Sequence, residues 1–494
     1  MKKMMFAALL CLTGLAGHAQ LERPKLVVGV VVDQMRWDYL YYYYDKYGND
    51  GLKRVLREGY SCENTMINYM PAVTAIGHTS IYTGSVPALH GIANNDFMIN
   101  GKWTYCCSDP SVKSVGSKSK EGQMSPRNLL STTVGDMLRI ATDYKSRVIG
   151  VALKDRASIF PAGLNANAAY WWDQSAGHFV SSTYYMDQLP RWVQDFNRQN
   201  HTKPGYDIKT SNEGVTMTFK MAQAALENEQ LGQHDVTDML CVSVSSTDAI
   251  GHTYGTRGQE NYEVYMQLDK DLAQFLKVLD QKVGKGNYLF FLTADHGAVH
   301  NPNLMKAHRM KAGGWDYPKS VDELNAYLKN KFGAEKLVER ADMNFFFLDH
   351  AAIERAGLKL TDVRTAAAEF LKNDRQFVYA FDLEKVATET LPDAIKERAI
   401  NGYCRYRSGD VAVVLQNGYL EYPCDADHKG TSHGEWNPYD THIPLVFMGW
   451  KINHGETSLP VKNVDIAPTI CAMLHIQMPT ACVGNAILPV ADAH

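Results

Sequence analysis

The chain has 494 residues, 45% hydrophobic and 21% charged, which is enough apolar material for a large buried core. Its formal net charge of -4 and pI near 6.5 provide no basic field to track a polyphosphate backbone, which argues against nucleic acid as a dedicated partner. No segment offers the roughly twenty uninterrupted apolar residues of a membrane span, so an integral membrane protein is not expected.

The chain opens on MKKMMFAALLCLTGLAGHAQ, with Lys2 and Lys3 ahead of a short apolar run from Met4 to Leu15 and the small residues Gly17 and Ala19 beyond it. This pattern reads as a signal peptide over residues 1–19, cut ahead of Gln20, and predicts a periplasmic or secreted protein. Leu10 stands before Cys11 where lipoprotein processing favours a small residue, which argues against lipidation. Cleavage leaves Cys62, Cys106, Cys107, Cys241, Cys404, Cys424, Cys471 and Cys482 in an oxidising compartment, where some are expected to pair. None shows a CxxC metal spacing, and adjacent Cys106 and Cys107 are expected to take separate partners.

Apolar, β-branched runs recur at residues 26–32, 148–153, 240–244 and 288–293, separated by helical patterns such as residues 260–279. The alternation predicts an α/β fold with a mostly parallel central sheet sandwiched by helices. Each run ends in polar residues: Asp33, then Lys154 and Arg156, then Asp248, then Asp295 and His296. In open α/β sheets, sites form at the carboxyl ends of strands, so these ends are expected to converge on one crevice. From residue 303 to 428 the pattern changes to helices, at 320–340 and 360–372, interleaved with strand-like MNFFFLDH and GDVAVVLQNGYLEYP. We read this as an inserted α+β cap; residues 20–302 and 429–494 then form the catalytic core.

The candidate site residues follow from the same positions. Asp248 and His252 are four apart, so one helical turn places both on one face. Asp295 and His296 are adjacent and can share a metal only where the strand has already ended, which Gly297 makes easy. Aspartate and histidine are a donor set that suits zinc. Thr74 lies in a PAVT loop ahead of GHTSIYTG, where a helix start would offer free backbone N–H groups to an anion. Lys154 and Arg156, at i and i+2 of an extended segment, face the same way while Asp155 points away, so both cations reach one anion. Two cations facing one site favour a doubly charged anion over a singly charged one.

In order and spacing, VVVDQMRWDYL, PAVTAIGHTSIYTG, HGIANND, STDAIGH, TADHG, TSHGEW and VDIAPTICAMLHI resemble the alkaline phosphatase superfamily, and most closely its phosphate-irrepressible (PafA-like) branch, related to the nucleotide pyrophosphatase/phosphodiesterases. The resemblance implies a zinc-dependent phosphomonoesterase with two zinc ions per chain and a phosphothreonine intermediate on Thr74. It assigns Asp33, Thr74, Asp295 and His296 to one ion and Asp248, His252 and His433 to the other. Asn95 would donate an amide to a phosphoryl oxygen, the Lys154/Arg156 pair would bind substrate, and small phosphate monoesters would be the partners. His78 and His90 stay outside the metal shell. A phosphodiesterase or nucleotide pyrophosphatase would share the metals and Thr74, and an inactive phospho-ligand-binding protein would have lost one of these residues. A sulfatase would need a C/S-x-P-x-R segment, which is missing. Oligomeric state and the preferred monoester are left open by the residues, and Trp103, Tyr105, Trp171 and Trp172 are read as packing rather than stacking on a nucleoside.

Overall fold

Strand β1 (Leu26–Val32, LVVGVVV) is buried at every position, because it has sheet on both sides and helices on both faces. Its alternate side chains enter two different cores. Val28, Val30 and Val32 pack with Leu272 and Phe275, while Val27 and Val31 pack with Ile470 and Met473. A strand covered on both faces has no polar side to show, which is why it reads as one apolar run.

The computed structural model describes residues 21–492; the leader read at residues 1–19 lies outside them. Strands β2 (Val148–Ala152), β3 (Asp238–Val244) and β4 (Tyr288–Thr293) join β1 in a ten-stranded sheet. β1 lies between β3 and β4, β2 follows β3, and all four run parallel. Val31 is level with Ser243 and Thr293, and Ser243 with Ala152, so the four strands stop along one rim. Beyond β2 lies Ala168–Asp173, also parallel, and beyond β4 the antiparallel Leu445–Gly449. The helix Gln259–Leu279 covers one face, burying Val264, Leu268, Leu272, Phe275 and Leu279 at helical spacing. The fold is that of an α/β sheet with helices on both sides, as the alternation predicts.

A second, antiparallel sheet forms from Val338–Asp342, Phe345–Leu348, Val411–Leu415 and Phe377–Asp382. With the helices Tyr317–Phe332 and Leu360–Leu371 it holds its own core of Trp315, Leu324, Leu328, Val363, Phe346 and Val413. The single helix expected over 320–340 is two elements. The helix stops at Phe332, where Gly333 takes a left-handed φ of 74°, and the chain restarts as the strand Val338–Asp342.

Among the described residues no helix is long and apolar enough to cross a membrane. Among the described residues the expected disulfides are absent: the eight cysteines there are free thiols, six of them buried. Cys62, Cys241 and Cys471 sit in one apolar cluster and Cys106, Cys107 and Cys404 in another, where they pack as small hydrophobic side chains.

One glycine fixes the distance between the rim and the helix above it. Helix α1 (Thr74–Thr83) lies against the segment after β4 so closely that a Cβ on Gly77 would stand 2.3 Å from the Asp295 carbonyl oxygen. Glycine to alanine inside a helix ordinarily stabilises by about 0.5–1 kcal/mol. Gly77→Ala is expected to do the reverse, lowering the denaturant midpoint by an equivalent of about 1–3 kcal/mol; an unchanged or raised midpoint would disprove this contact.

Candidate active site

The parallel rim delivers five side chains to one place. Asp33 follows β1, Lys154 follows β2, Asp248 lies in the first turn of helix α3 (Ser246–Tyr254) after β3, and Asp295 and His296 follow β4. Asp33, Asp295 and His296 are wholly buried and Asp248 nearly so. Strand β4 has ended at Thr293, so Asp295 and His296 are on irregular backbone, and the Oδ2 of one is 3.4 Å from the Nε2 of the other.

Two groups of ligand atoms converge. In the first, Asp248 Oδ1 lies 3.1 Å from His252 Nε2 and 3.7 Å from His433 Nε2; the four-residue spacing puts Asp248 and His252 on one face of α3. In the second, Asp33 Oδ1 lies 3.5 Å from His296 Nε2, with Asp248 also within reach. Asp248 therefore stands between the two groups, while Asp295 meets the second from the side through His296. The imidazoles of His296 and His433 stack at 3.5 Å between centroids.

The histidine tautomers are fixed by backbone. Nδ1–H of His252 donates to Thr431 O at 3.0 Å, that of His296 to Gly297 O at 3.0 Å and that of His433 to Ala72 O at 2.7 Å. Each ring thus turns Nε2 toward the carboxylates, the arrangement a metal-ligating histidine requires. Burial, with His296 and His252 beside it, holds His433 well below the usual imidazole range, so it stays neutral. Burial pushes Asp33 well above the carboxylate range, and the nearby Asp295 adds to this. Asp33 Oδ1 and Asp295 Oδ2 are buried with no hydrogen-bond partner. Unpaired carboxylate oxygens beside oriented imidazole nitrogens fit divalent cations, since a buried charge needs a partner.

Thr74 opens helix α1, with extended Val73 before it, and is 1% exposed. Its Oγ1 is 3.4 Å from His296 Nε2 and accepts from Lys154 Nζ at 3.3 Å. Asn95 Oδ1 accepts the Ala75 N–H at 3.0 Å, which places its side chain at the start of the same helix. His78 Nδ1–H donates to Thr74 O at 2.9 Å and lies 3.2 Å from Asp295 Oδ2. His90 accepts the Ile92 N–H at Nδ1 and donates from Nε2 to Ser80 Oγ at 3.1 Å, tying the loop that carries Asn95 to α1.

The strand geometry expected of Lys154 and Arg156 is incorrect. Strand β2 stops at Ala152, Lys154 caps helix α2 (Asp155–Ala162) in an extended conformation, and Arg156 is in the first turn. The chain has to leave the sheet at the rim, so side-chain alternation ends there. Lys154 Nζ donates to Asp33 Oδ2 at 2.7 Å and Asp248 Oδ2 at 2.5 Å; burial would strip its charge, but Asp248 and Asp33 outweigh burial and keep it an ammonium. Asp155 does not point away. Its Oδ1 accepts from Tyr105 Oη at 2.5 Å and from the Arg156 backbone N–H at 2.6 Å, and Arg156 Nη1 donates to Tyr105 Oη at 3.0 Å. Arg156 Nε is buried without a partner, a donor kept open.

Gln34 and Tyr105 carry roles that the sequence did not announce. Gln34, at a left-handed φ of 64°, donates its backbone N–H to Asp295 Oδ1 at 3.1 Å and its side-chain Nε2 to Asp248 Oδ1 at 2.6 Å. The only local signal for Gln34 was its place directly after Asp33. Tyr105 arrives from the hairpin Asp96–Ile99/Lys102–Tyr105, 50 residues from its partners. Trp171 is buried, as packing requires, and Trp103 packs against Phe347 with Arg340 over its ring.

Comparison with known proteins places this geometry. Residues 27–439 match the family described as type I phosphodiesterase / nucleotide pyrophosphatase, and the chain belongs to that family. Within it the chain is similar to alkaline phosphatase PafA from Elizabethkingia meningoseptica, 45% identical over 95% of this chain and 94% of the relative. A protein of Myroides odoratus named calcium-transporting ATPase is 42% identical over 98% of both chains. The crystal structure of wild-type PafA superposes with a TM-score of 0.91 at 44% identity, covering 95% of this chain and 99% of that one. The protein is an alkaline phosphatase of the PafA-like branch, a phosphoric monoester hydrolase.

Two measurements probe the groups outside the carboxylate cluster. Tyr105→Phe removes one hydrogen bond from Arg156 and is expected to lower kcat/KM for a phosphate monoester about 2- to 12-fold, the equivalent of about 0.5–1.5 kcal/mol. Full activity would mean that Arg156 is held without Tyr105. Burial, with Arg407 nearby, lowers His90 from 6.5 to about 3. The folded protein therefore binds fewer protons than the unfolded chain between those values, and this contribution to stability is lost as pH falls from 6.5 toward 3. In urea unfolding across that range, His90→Gln is expected to show a shallower loss than the wild type; parallel curves would remove His90 from the account.

Proposed function

We propose that the enzyme hydrolyses phosphate monoesters through a phosphothreonine on Thr74, with two zinc ions held by Asp33, Thr74, Asp295 and His296 and by Asp248, His252 and His433. The observation that carries this reading is the position of Lys154 Nζ, 3.3 Å from Thr74 Oγ1 among buried carboxylates, beside an Arg156 with an unpaired Nε. A solved PafA variant supports it. There a threonine and an asparagine 21 residues apart, and a lysine and an arginine two apart, are replaced together; Thr74 and Asn95, and Lys154 and Arg156, have the same spacings.

When bound, the ions supply the Lewis acidity that lowers the pKa of a hydroxyl and of a water and offsets charge on phosphoryl oxygens. Thr74 Oγ1 attacks phosphorus as the bond to the leaving alkoxide breaks. Water entering from the vacated side then breaks the Thr74–phosphorus bond and releases inorganic phosphate, and two inversions retain configuration. The start of helix α1 directs its free N–H groups at the phosphoryl group. Asn95 donates to one oxygen, and Lys154 and Arg156 supply the two positive charges that a dianionic terminus needs and a diester lacks. The terminal phosphoryl of a nucleoside triphosphate offers the same dianionic end, so the name of the Myroides odoratus relative is compatible with this site. The basic start and apolar run of residues 1–19 support export to the periplasm or beyond, and residues 303–428 serve as a cap over the core.

The test compares p-nitrophenyl phosphate with bis-p-nitrophenyl phosphate at mildly alkaline pH, with metal content measured in parallel. The wild type is expected to hold two zinc ions per chain, to prefer the monoester, and to lose both activity and zinc to a chelator. Thr74→Ala is expected to abolish turnover, and Lys154→Ala/Arg156→Ala to lose about 10²-fold or more on the monoester with little change on the diester. A wild type that prefers the diester would reassign it as a phosphodiesterase with the same nucleophile.

A further inference from the structure

The strand Val338–Asp342 of the second sheet ends beside the loop that carries Asn95. Asp342 Oδ2 accepts from Asn94 Nδ2 at 2.7 Å. Asn94, 2% exposed, accepts the Asn95 backbone N–H on its own Oδ1 at 2.8 Å. Asn95 in turn accepts the Ala75 N–H on Oδ1 at 3.0 Å, one residue after Thr74. Three short contacts thus run from the second sheet to the helix that bears the nucleophile.

The chemistry of the chain is directional. An asparagine amide presents a donor and an acceptor of nearly equal shape, and only its neighbours decide which end faces which. An ionised carboxylate can only accept. With Asp342 as the terminus, Asn94 must turn Nδ2 toward it, and its Oδ1 is then left to hold the Asn95 backbone. Burial, with Asp96 nearby, raises the Asp342 carboxyl to about 6, so at mildly alkaline pH it is the ionised acceptor this arrangement needs. An ionised carboxylate in such a place costs stability, which is a reason to look for its use in the site rather than in the fold. The turn behind it is set: Met343 takes a left-handed φ of 49°, and Asn344 Nδ2 donates to Val413 O at 3.3 Å.

We propose that Asp342 is a positioning residue for the Asn95 amide, acting through Asn94 from the second sheet. The inference rests on the reading of Asn95 as a donor to the phosphoryl group. Its prediction is a loss that exists only while Asn95 is there to be positioned.

The experiment is a double-mutant cycle on the zinc-loaded enzyme with p-nitrophenyl phosphate, with inorganic phosphate as a competitive inhibitor. Asp342→Asn keeps the shape and removes the accept-only terminus; Asp342→Ala removes the contact outright. Both are expected to lower kcat/KM roughly ten-fold or more and to weaken phosphate inhibition in step, with zinc content and melting temperature held. In an Asn95→Ala background the same substitutions are expected to change kcat/KM less than two-fold. Equal losses in both backgrounds would overturn the proposal, as would full activity of the Asp342 variants where Asn95→Ala is impaired. Full activity of Asn95→Ala itself would remove the role of Asn95, and the inference with it.

Discussion

Three buried carboxylates at the ends of three adjacent parallel strands set the terms for everything around them. Asp33, Asp248 and Asp295 meet because β1, β3 and β4 run in one direction and stop level. Mutual repulsion and lost hydration would drive such a group apart or protonate it. The surrounding structure answers with Lys154 between two of them, Gln34 donating to two, and three imidazoles facing inward. The two groups of ligand atoms left over fit divalent cations, which would complete the balance.

Helix α1 is the second fixed element. All ten of its residues are buried, and it sits on the rim at a separation that Gly77 alone permits. Thr74 is therefore placed by the packing of a whole helix rather than by a flexible loop, which suits the nucleophile proposed for this position. His78 and His90 belong to this placement. One joins the helix to Asp295, the other to the loop of Asn95.

Much of the sheet was legible because fully buried parallel strands have to be apolar throughout, and the polar residue that ends each run marks the rim. The Asp248/His252 spacing was legible for the same local reason, as one helical turn. What the sequence hid lies either in geometry beyond the strand ends or in contacts across long separations. The i, i+2 rule applied to Lys154 and Arg156 assumed that the strand continued, whereas the chain turned into a helix at the first chance. The run from 320 to 340 looked like one helix because nothing but Gly333 interrupts it. Tyr105, Gln34 and Asp342 find their partners 50, 214 and 248 residues away, a distance over which periodicity carries no information.

The anchors of the three inward-facing histidines have an unusual property. Each Nδ1 is held by a main-chain carbonyl, at Ala72, Gly297 and Thr431, and not by a side chain. A carbonyl belongs to every amino acid, so the aim of these rings is written in the path of the backbone. Point substitutions at 72 and 431 that leave that path intact change the side chain and keep the acceptor. Ring orientation in this enzyme is thereby insulated from genetic drift at the very positions that enforce it, and is lost only when the fold is.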